Sequence, residues 1–136
     1  MHATDKSRVL SEARRVLKPG GRMVISEQTT ERGLLNDKEI ARVTERHGSP
    51  DLLNADGFIQ LIINEGFTMV RDDDLSIHLG PHFEQVVKRV EDNYTELTDE
   101  ISKNVVDWNL DIWRFAAEKA RQGAIGWHVF VAKCAK

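Results

Sequence analysis

The sequence has few of the residues that cross-link a chain or mark a membrane or nucleic-acid protein. Cys134 is the only cysteine, so no internal disulfide can form, which suits a reducing compartment and predicts a cytoplasmic protein. No apolar run reaches ~18 residues and no secretory signal pattern opens the chain, so we expect no membrane segment. The formal net charge is −3, without a long block of like charge, and this argues against a nucleic-acid partner.

A glycine-rich phosphate or nucleotide loop is also missing. The nine glycines are dispersed, and the only adjacent pair is Gly20-Gly21. Neither G-x-G-x-x-G nor G-x-G-x-G occurs anywhere in the sequence. Such loops work because only glycine lets the backbone approach a bound cofactor closely. No cofactor-binding residue can therefore be named from a motif of this kind.

What is present is best seen in residues 14–26, which read as a helix end, a tight turn and a buried strand. Pro19 cannot continue the helix, and Gly20-Gly21 permits the reversal. Met23, Val24 and Ile25 then form a short apolar run that is typical of a strand covered on both faces. Helix, turn and buried strand form the repeating half-unit of an open α/β sheet.

The remaining patterns alternate between helix and strand, so we treat residues 1–136 as a single α/β domain. Thr4 is a potential cap for the first helix. The predicted elements that follow are a short helix over 37–46, a helix from Asn54 to a Gly66 cap, a strand from Thr68 continuing irregularly to Ile77, a helical region starting at Gly80-Pro81 and broken at Thr98, and a last strand over Ala124–Cys134.

Three stretches resemble class I S-adenosylmethionine-dependent methyltransferases that act on small molecules. "EARRVLKPGGRMVIS", preceded by His2, Asp5 and Lys6, is similar to the segment between the fourth and fifth strands of that family. "LIINEGF" is similar to its L-L-x-x-A-G-F, with Glu65 where alanine is usual, and "GWHVFVAKC" resembles its final strand. The resemblance covers all 136 residues but only the carboxyl-terminal half of the family's domain.

This resemblance implies a partial Rossmann-like fold that contains the last three strands of the sheet, with the final strand antiparallel between the other two. Strand 22–28 would then lack its neighbour on one side. Because an unpaired strand edge is a template for another chain, we expect a homodimer or a complex with a separate amino-terminal half. Residues 29–53 and 80–122 would be insertions that form a helical cap.

The resemblance also implies where the chemistry lies. Glu27, at the end of the fifth strand, and His2, after the absent fourth strand, occupy the positions of a deprotonating pair in related O-methyltransferases. The alternative roles are a solvated acid for Glu27 and a terminal side chain for His2. Gln28, Thr29 and Trp108 are candidate substrate-binding residues, although Trp108 also sits at core spacing. The cofactor would be S-adenosylmethionine, bound weakly or not at all by this chain alone.

A metal site is not expected. His78 and His82 have the i, i+4 spacing of a helical metal pair, but Gly80-Pro81 between them is expected to break that helix. The leading hypothesis is the acceptor-side part of a methyltransferase acting on a small organic molecule. The alternative is a non-catalytic remnant or interaction module that assembles through the open strand edge and the cap helices. The sequence leaves open whether this chain alone is an enzyme.

Overall fold

A computed structural model describes residues 3–48 and 52–134 of the chain. The elements are helix α1 (Lys6–Val16), strand β1 (Arg22–Thr30), a short 3-10 helix (Arg32–Leu34), α2 (Asp37–His47), α3 (Ala55–Asn64), β2 (Phe67–Asp74), α4 (Ser76–Asp92), α5 (Tyr94–Glu100), α6 (Lys103–Arg121) and β3 (Ile125–Cys134).

The described strands form one sheet in the order β1-β3-β2. β3 is antiparallel to both neighbours, so β1 and β2 run in the same direction on either side of it. This confirms the predicted fold class and the antiparallel insertion of the last strand. β1 has no strand partner on its outer edge within residues 3–48 and 52–134. β1 extends to Thr30, two residues beyond the predicted end, because Thr29 and Thr30 pair with β3.

The turn before β1 forms as the sequence predicts. Gly20 has φ +75°, which an L side chain rarely adopts. The Gly20 N–H donates to the Cys134 carbonyl at 3.2 Å, and the Cys134 N–H donates to the Gly21 carbonyl at 2.8 Å. The turn is therefore attached to the end of β3. One detail differs: the helix is capped by Asp5, whose carboxylate accepts from the Arg8 N–H at 2.8 Å, and not by Thr4.

One face of the sheet is packed and the other is open near its outer edge. On the packed face, Phe130 of β3 is 1% exposed and stacks on Phe58 of α3 with ring centroids 5.6 Å apart. Leu10 of α1 and Ile62 of α3 belong to the same core. On the other face, Val24 of β1 is 66% exposed. This second face is therefore uncovered around Val24, although Ile125 at the start of β3 is buried there against α4 and α6.

Two expected breaks are wrong. Gly80-Pro81 lies inside α4, which begins four residues earlier at Ser76. α4 and α6 pack together, and a Cβ at Gly80 would come within 3.2 Å of Arg121 Cγ, so the glycine permits close helix contact. The second break falls at Ile101-Ser102, between α5 and α6, and not at Thr98. Packing against α6 therefore outweighs the local effect of the Gly-Pro pair.

The segment after β1 is an ordered connection with its own helix. Asn36 and Glu39 form a capping box at the start of α2. The Asn36 side chain accepts a hydrogen bond from the Glu39 N–H, and the Glu39 side chain accepts one from the Asn36 N–H. Lys119 of α6 pairs with Glu39 at 2.6 Å, and this hydrogen bond lowers the pKa of the Glu39 carboxyl. Val43 on the inner face of α2 is 1% exposed in a core shared with α4 and α6. The described parts of the two predicted insertions thus form one helical layer.

Candidate functional site

The strand ends define where a ligand would lie. β1 and β2 run in the same direction, so their carboxyl ends, Thr30 and Asp74, lie at the same end of the sheet. β3 begins at this end, at Ile125. Ligands of open α/β sheets lie beyond the carboxyl ends of the strands. This edge also carries most of the polar side chains that the sheet buries.

Glu27 occupies the last part of β1 and is only 3% exposed. It lies directly opposite His128 of β3 in the antiparallel register. Side chains opposite one another on antiparallel strands share a face, with Cβ atoms ~5 Å apart. The interpretation of Glu27 as a solvated strand-end acid is therefore wrong, because this carboxylate is buried beside an imidazole.

His128 is held by two carboxylates of β2. Its Nδ1 lies 2.8 Å from Asp72 Oδ1, and its Nε2 lies 3.6 Å from Asp74 Oδ1. The imidazole also stacks on the Phe130 ring, with centroids 5.6 Å apart and an interplanar angle of 11°. Because an ionised carboxylate can only accept a hydrogen bond, we assign the Nδ1 proton to the bond with Asp72. The contact with Asp72 thereby fixes the orientation of the ring.

Sequence reasoning did not identify this His128 cluster, which consists of Asp72, Asp74 and His128. The sequence places Asp72 and Asp74 in the irregular strand that follows Thr68, as the structure does with β2, but does not connect them with His128. Two signals were available. The carboxylates are spaced i, i+2, which places them on one face of a strand, and His128 interrupts an otherwise apolar inner face of β3.

Asp74 is tied to the start of α4. The Ser76 N–H donates to Asp74 Oδ1 at 2.9 Å, and the Ser76 hydroxyl accepts from the Trp127 N–H at 3.1 Å. Hydrogen bonds from the Ser76 side chain and backbone, with a smaller contribution from the charge of His128, lower the pKa of the Asp74 carboxyl. The carboxylate is thus stabilised in its charged form at the edge of the sheet.

Two hydroxyl groups converge over Gly126. A Cβ at this glycine would lie 2.5 Å from Thr29 Oγ1 and 2.7 Å from Ser76 Oγ, so only glycine leaves room for both. Thr29 is buried opposite Gly126, whereas Gln28 lies on the other face opposite Trp127. Thr29 therefore shares its face with Glu27, and Gln28 does not.

Trp108 and the two histidines of the possible metal pair do not join this group. His2 lies outside the described residues. Trp108 is 49% exposed on α6. At ~1.5 Å per residue it lies about 20 Å from Arg121, the last residue of that helix before the chain enters β3. His78 and His82 do share one helix, contrary to expectation, but both are exposed. Within the described part of the chain, no group of three or more potential ligands could hold a metal ion.

The adjacent glycines do not lie where a cofactor loop would be expected. The glycine pair at 20–21 lies at the amino end of β1 and is bonded to the end of β3, at the edge of the sheet opposite Glu27. It therefore serves as a turn and does not form a cradle at the strand ends.

No helix in the described ranges is long and apolar enough to cross a bilayer.

Comparisons with known proteins show what the chain is similar to. No family model matches the chain. Over 132 residues, or 97% of the chain, it is 24% identical to phosphoethanolamine N-methyltransferase 1 from Zea mays, of which it covers 26%. Over 81 residues, or 60% of the chain, it is 31% identical to an O-methyltransferase from Pyrenophora dematioidea, of which it covers 30%.

Solved structures of methyltransferases and of a cyclopropane synthase share the fold of this chain. A phosphoethanolamine N-methyltransferase 2 from Haemonchus contortus, in complex with phosphomonomethylethanolamine and S-adenosylhomocysteine, matches 99% of the chain with a TM-score of 0.84 and 18% identity, over 31% of that protein's chain. The cyclopropane synthase MmaA2 from Mycobacterium tuberculosis matches 93% with a TM-score of 0.81 and 16% identity, over 49% of its chain.

These matches confirm the resemblance predicted from the sequence. The chain has the fold of part of a class I S-adenosylmethionine-dependent methyltransferase domain, consistent with its carboxyl-terminal half. It spans about a quarter of the maize protein and about half of the cyclopropane synthase chain.

Proposed function

We propose that this chain is the acceptor-side part of a methyltransferase that transfers a methyl group to a small organic molecule. The cofactor, S-adenosylmethionine, is bound mainly by an amino-terminal half that carries the glycine-rich loop. The observation that supports this most directly is the burial of Glu27 at the end of β1, opposite His128 in the strand register. A buried acid and imidazole at the ligand-binding edge of such a sheet are suited to proton transfer.

The acceptor is a small molecule with a nucleophilic nitrogen or oxygen. This part of the proposal rests on the relatives, whose names include a phosphoethanolamine N-methyltransferase and an O-methyltransferase. Glu27 and His2 together serve to remove the proton of that nucleophile, and Thr29 helps to orient it. Methyl transfer depends chiefly on the alignment of nucleophile, methyl group and leaving sulfur, so positioning accounts for much of the rate.

The partner half binds along the outer edge of β1. That edge lacks a strand partner within the described ranges, and the neighbouring face exposes Val24. Docking of a further strand and its helices would cover both. When the amino-terminal half is absent, the same edge is expected to pair with a second copy of the chain. Light scattering should therefore show self-association of the chain alone and a one-to-one complex once the amino-terminal half is added.

The test is reconstitution of methyl transfer. The chain is expressed together with the amino-terminal half of a methyltransferase domain, either encoded beside it or taken from the maize relative, and transfer of labelled methyl groups is measured on a panel of small amines, phosphoamines and alcohols. We expect transfer only from the mixture. Glu27→Gln should lower kcat by about 100-fold or more, whereas Glu12→Gln, an exposed acid on α1, should not change it.

The alternative is an interaction module without catalysis. The 66% exposure of Val24 beside an open strand edge favours assembly irrespective of chemistry. This alternative predicts a stable complex that transfers no methyl group to any acceptor. The Glu27→Gln and Glu12→Gln variants should then form the complex equally well and be equally inactive.

A further inference from the structure

Two histidines lie one turn apart on the exposed side of α4. His78 and His82 are spaced i, i+4, and both are exposed. Leu79 and Phe83, the residues that follow them, are 4% and 3% exposed and belong to the core. Since side chains four residues apart on a helix are neighbours, with Cβ atoms ~5–6 Å apart, the two imidazoles lie side by side at the surface.

The helix is continuous through this pair. Pro81 lies inside α4, and the His78 N–H donates to the Leu75 carbonyl at 2.9 Å. Proline has no N–H, so the carbonyl of Ile77, four residues earlier, lacks its usual helical donor. Ile77 is 80% exposed, and water can therefore reach this turn. The turn between the histidines is helical but has one backbone hydrogen bond fewer than an ordinary turn.

The neighbouring carboxylates are engaged elsewhere. The Arg121 guanidinium donates to Glu84 Oε2 at 2.7 Å, and the Ser76 N–H donates to Asp74 Oδ1 at 2.9 Å. Within residues 3–48 and 52–134, no third side chain joins the two histidines in a group that could hold a metal ion. The pair therefore offers two imidazole nitrogens, and solvent can supply the remaining ligands.

This pair of ligands selects one class of ion. Imidazole nitrogen binds zinc, nickel and copper, whereas magnesium and calcium prefer oxygen ligands. Two histidines at i, i+4 on one helix face are the arrangement with which helical motifs bind zinc. A hydrolytic motif of this kind has a glutamate directly after the first histidine, and Leu79 occupies that position here. The pair is therefore suited to a structural ion and not to hydrolysis.

We propose that His78 and His82 bind a divalent transition-metal ion, such as zinc, through one imidazole nitrogen each. The bound ion links the two ends of the turn that contains Pro81 and stabilises it in place of the missing backbone hydrogen bond. α4 begins two residues after the carboxyl end of β2, so the stabilised turn belongs to the helical layer beside the strand ends. The inference is independent of the proposed methyl transfer.

The test is a titration of the labelled 136-residue chain with zinc chloride, followed by NMR at the imidazole groups of His78 and His82. It is carried out at about pH 7.5, where imidazole is unprotonated and can bind a metal ion. We expect both imidazoles to shift together and to saturate with a dissociation constant of about 10–100 μM. Magnesium chloride at the same concentration should shift neither. The inference is overturned if only one imidazole shifts, or if neither saturates below about 1 mM zinc.

Variants distinguish a chelating pair from two separate histidines. His78→Gln or His82→Gln should weaken zinc binding at the remaining imidazole by about tenfold or more, because the second bond to the ion is lost. The matched control combines His82→Gln with Gln85→His. It keeps the number of histidines but places them about 10 Å apart along the helix axis, and it should bind as weakly as the single variants. Affinity equal to that of the unmodified chain in this control would overturn the proposal.

The effect on the helix is measured by amide hydrogen exchange over residues 79–85. Saturating zinc should slow exchange there in the unmodified chain and leave it unchanged in His82→Gln, because only the pair links the two ends of the turn. Exchange that does not slow when both imidazoles are bound would refute the stabilising role. Neither measurement requires methyl transfer, so failure of the proposed function would leave this site standing.

Discussion

Replacing Gly126 by alanine tests the packing of the proposed site at the strand ends. The added Cβ would lie 2.5 Å from Thr29 Oγ1 and 2.7 Å from Ser76 Oγ, whereas ordinary contacts are ~3.5–4.0 Å. Thr29 is buried and β-branched, so its side chain has little freedom to turn away. The Ser76 hydroxyl could move only by weakening its bond to the Trp127 N–H.

We therefore expect Gly126→Ala to lower the free energy of unfolding by about 1–3 kcal/mol, the usual cost of overpacking. Urea denaturation followed by far-UV circular dichroism measures this value. Gly33→Ala is the matched control, because no atom lies within 4 Å of its Cβ and its φ is not positive. The control should be neutral or stabilising by about 0.4–1 kcal/mol.

The contact with Thr29 can be isolated by a double-mutant cycle. Thr29→Ala removes the atom nearest to the new methyl group, so the double variant should recover part of the loss, with a coupling of about 0.5 kcal/mol or more. The reasoning fails if Gly126→Ala is as stable as Gly33→Ala, or if the two substitutions are additive.

Three further predictions concern pH, the core and the strand edge. Because the pKa of Asp74 is lower in the folded chain than in the unfolded one, its contribution to stability is present above ~pH 4 and lost as the pH falls through the folded value; Asp74→Asn should flatten the acid limb of a stability-against-pH curve, and an unchanged limb would contradict this. Phe130→Ala should lower the free energy of unfolding by about 3–5 kcal/mol in urea denaturation, since the ring is 1% exposed. A loss below about 1 kcal/mol would contradict the placement of Phe130 in the core. The isolated chain should self-associate at about 10 μM in light scattering, and less so after Val24→Lys, because a charge beside an open edge disfavours pairing; a monomeric chain would count against the open edge.

Local signals in the sequence predict the part of the fold that depends on local chemistry. The turn at Gly20-Gly21 and the helix from Asn54 to Gly66 form as expected, because caps and positive φ angles are properties of short segments. Gly80-Pro81 is the clearest failure. The prediction that it begins or breaks a helix considers only the backbone, whereas buried contacts between α4 and α6 hold α4 together across it.

The candidate site is predicted less completely, for a physical reason. Glu27 can be found because the sequence predicts a single strand and the place where it ends. His128 cannot be joined to Asp72 without the register between β2 and β3, which includes an irregularity between Met69 and Arg71.

The central claim is that this chain supplies the acceptor side of a sheet and that its cofactor cradle lies in another polypeptide segment. Calorimetric titration of the isolated 136-residue chain with S-adenosylmethionine tests this most directly. The account predicts no measurable heat of binding for the chain alone and saturable binding once the amino-terminal half is added. A micromolar dissociation constant for the chain by itself would contradict it.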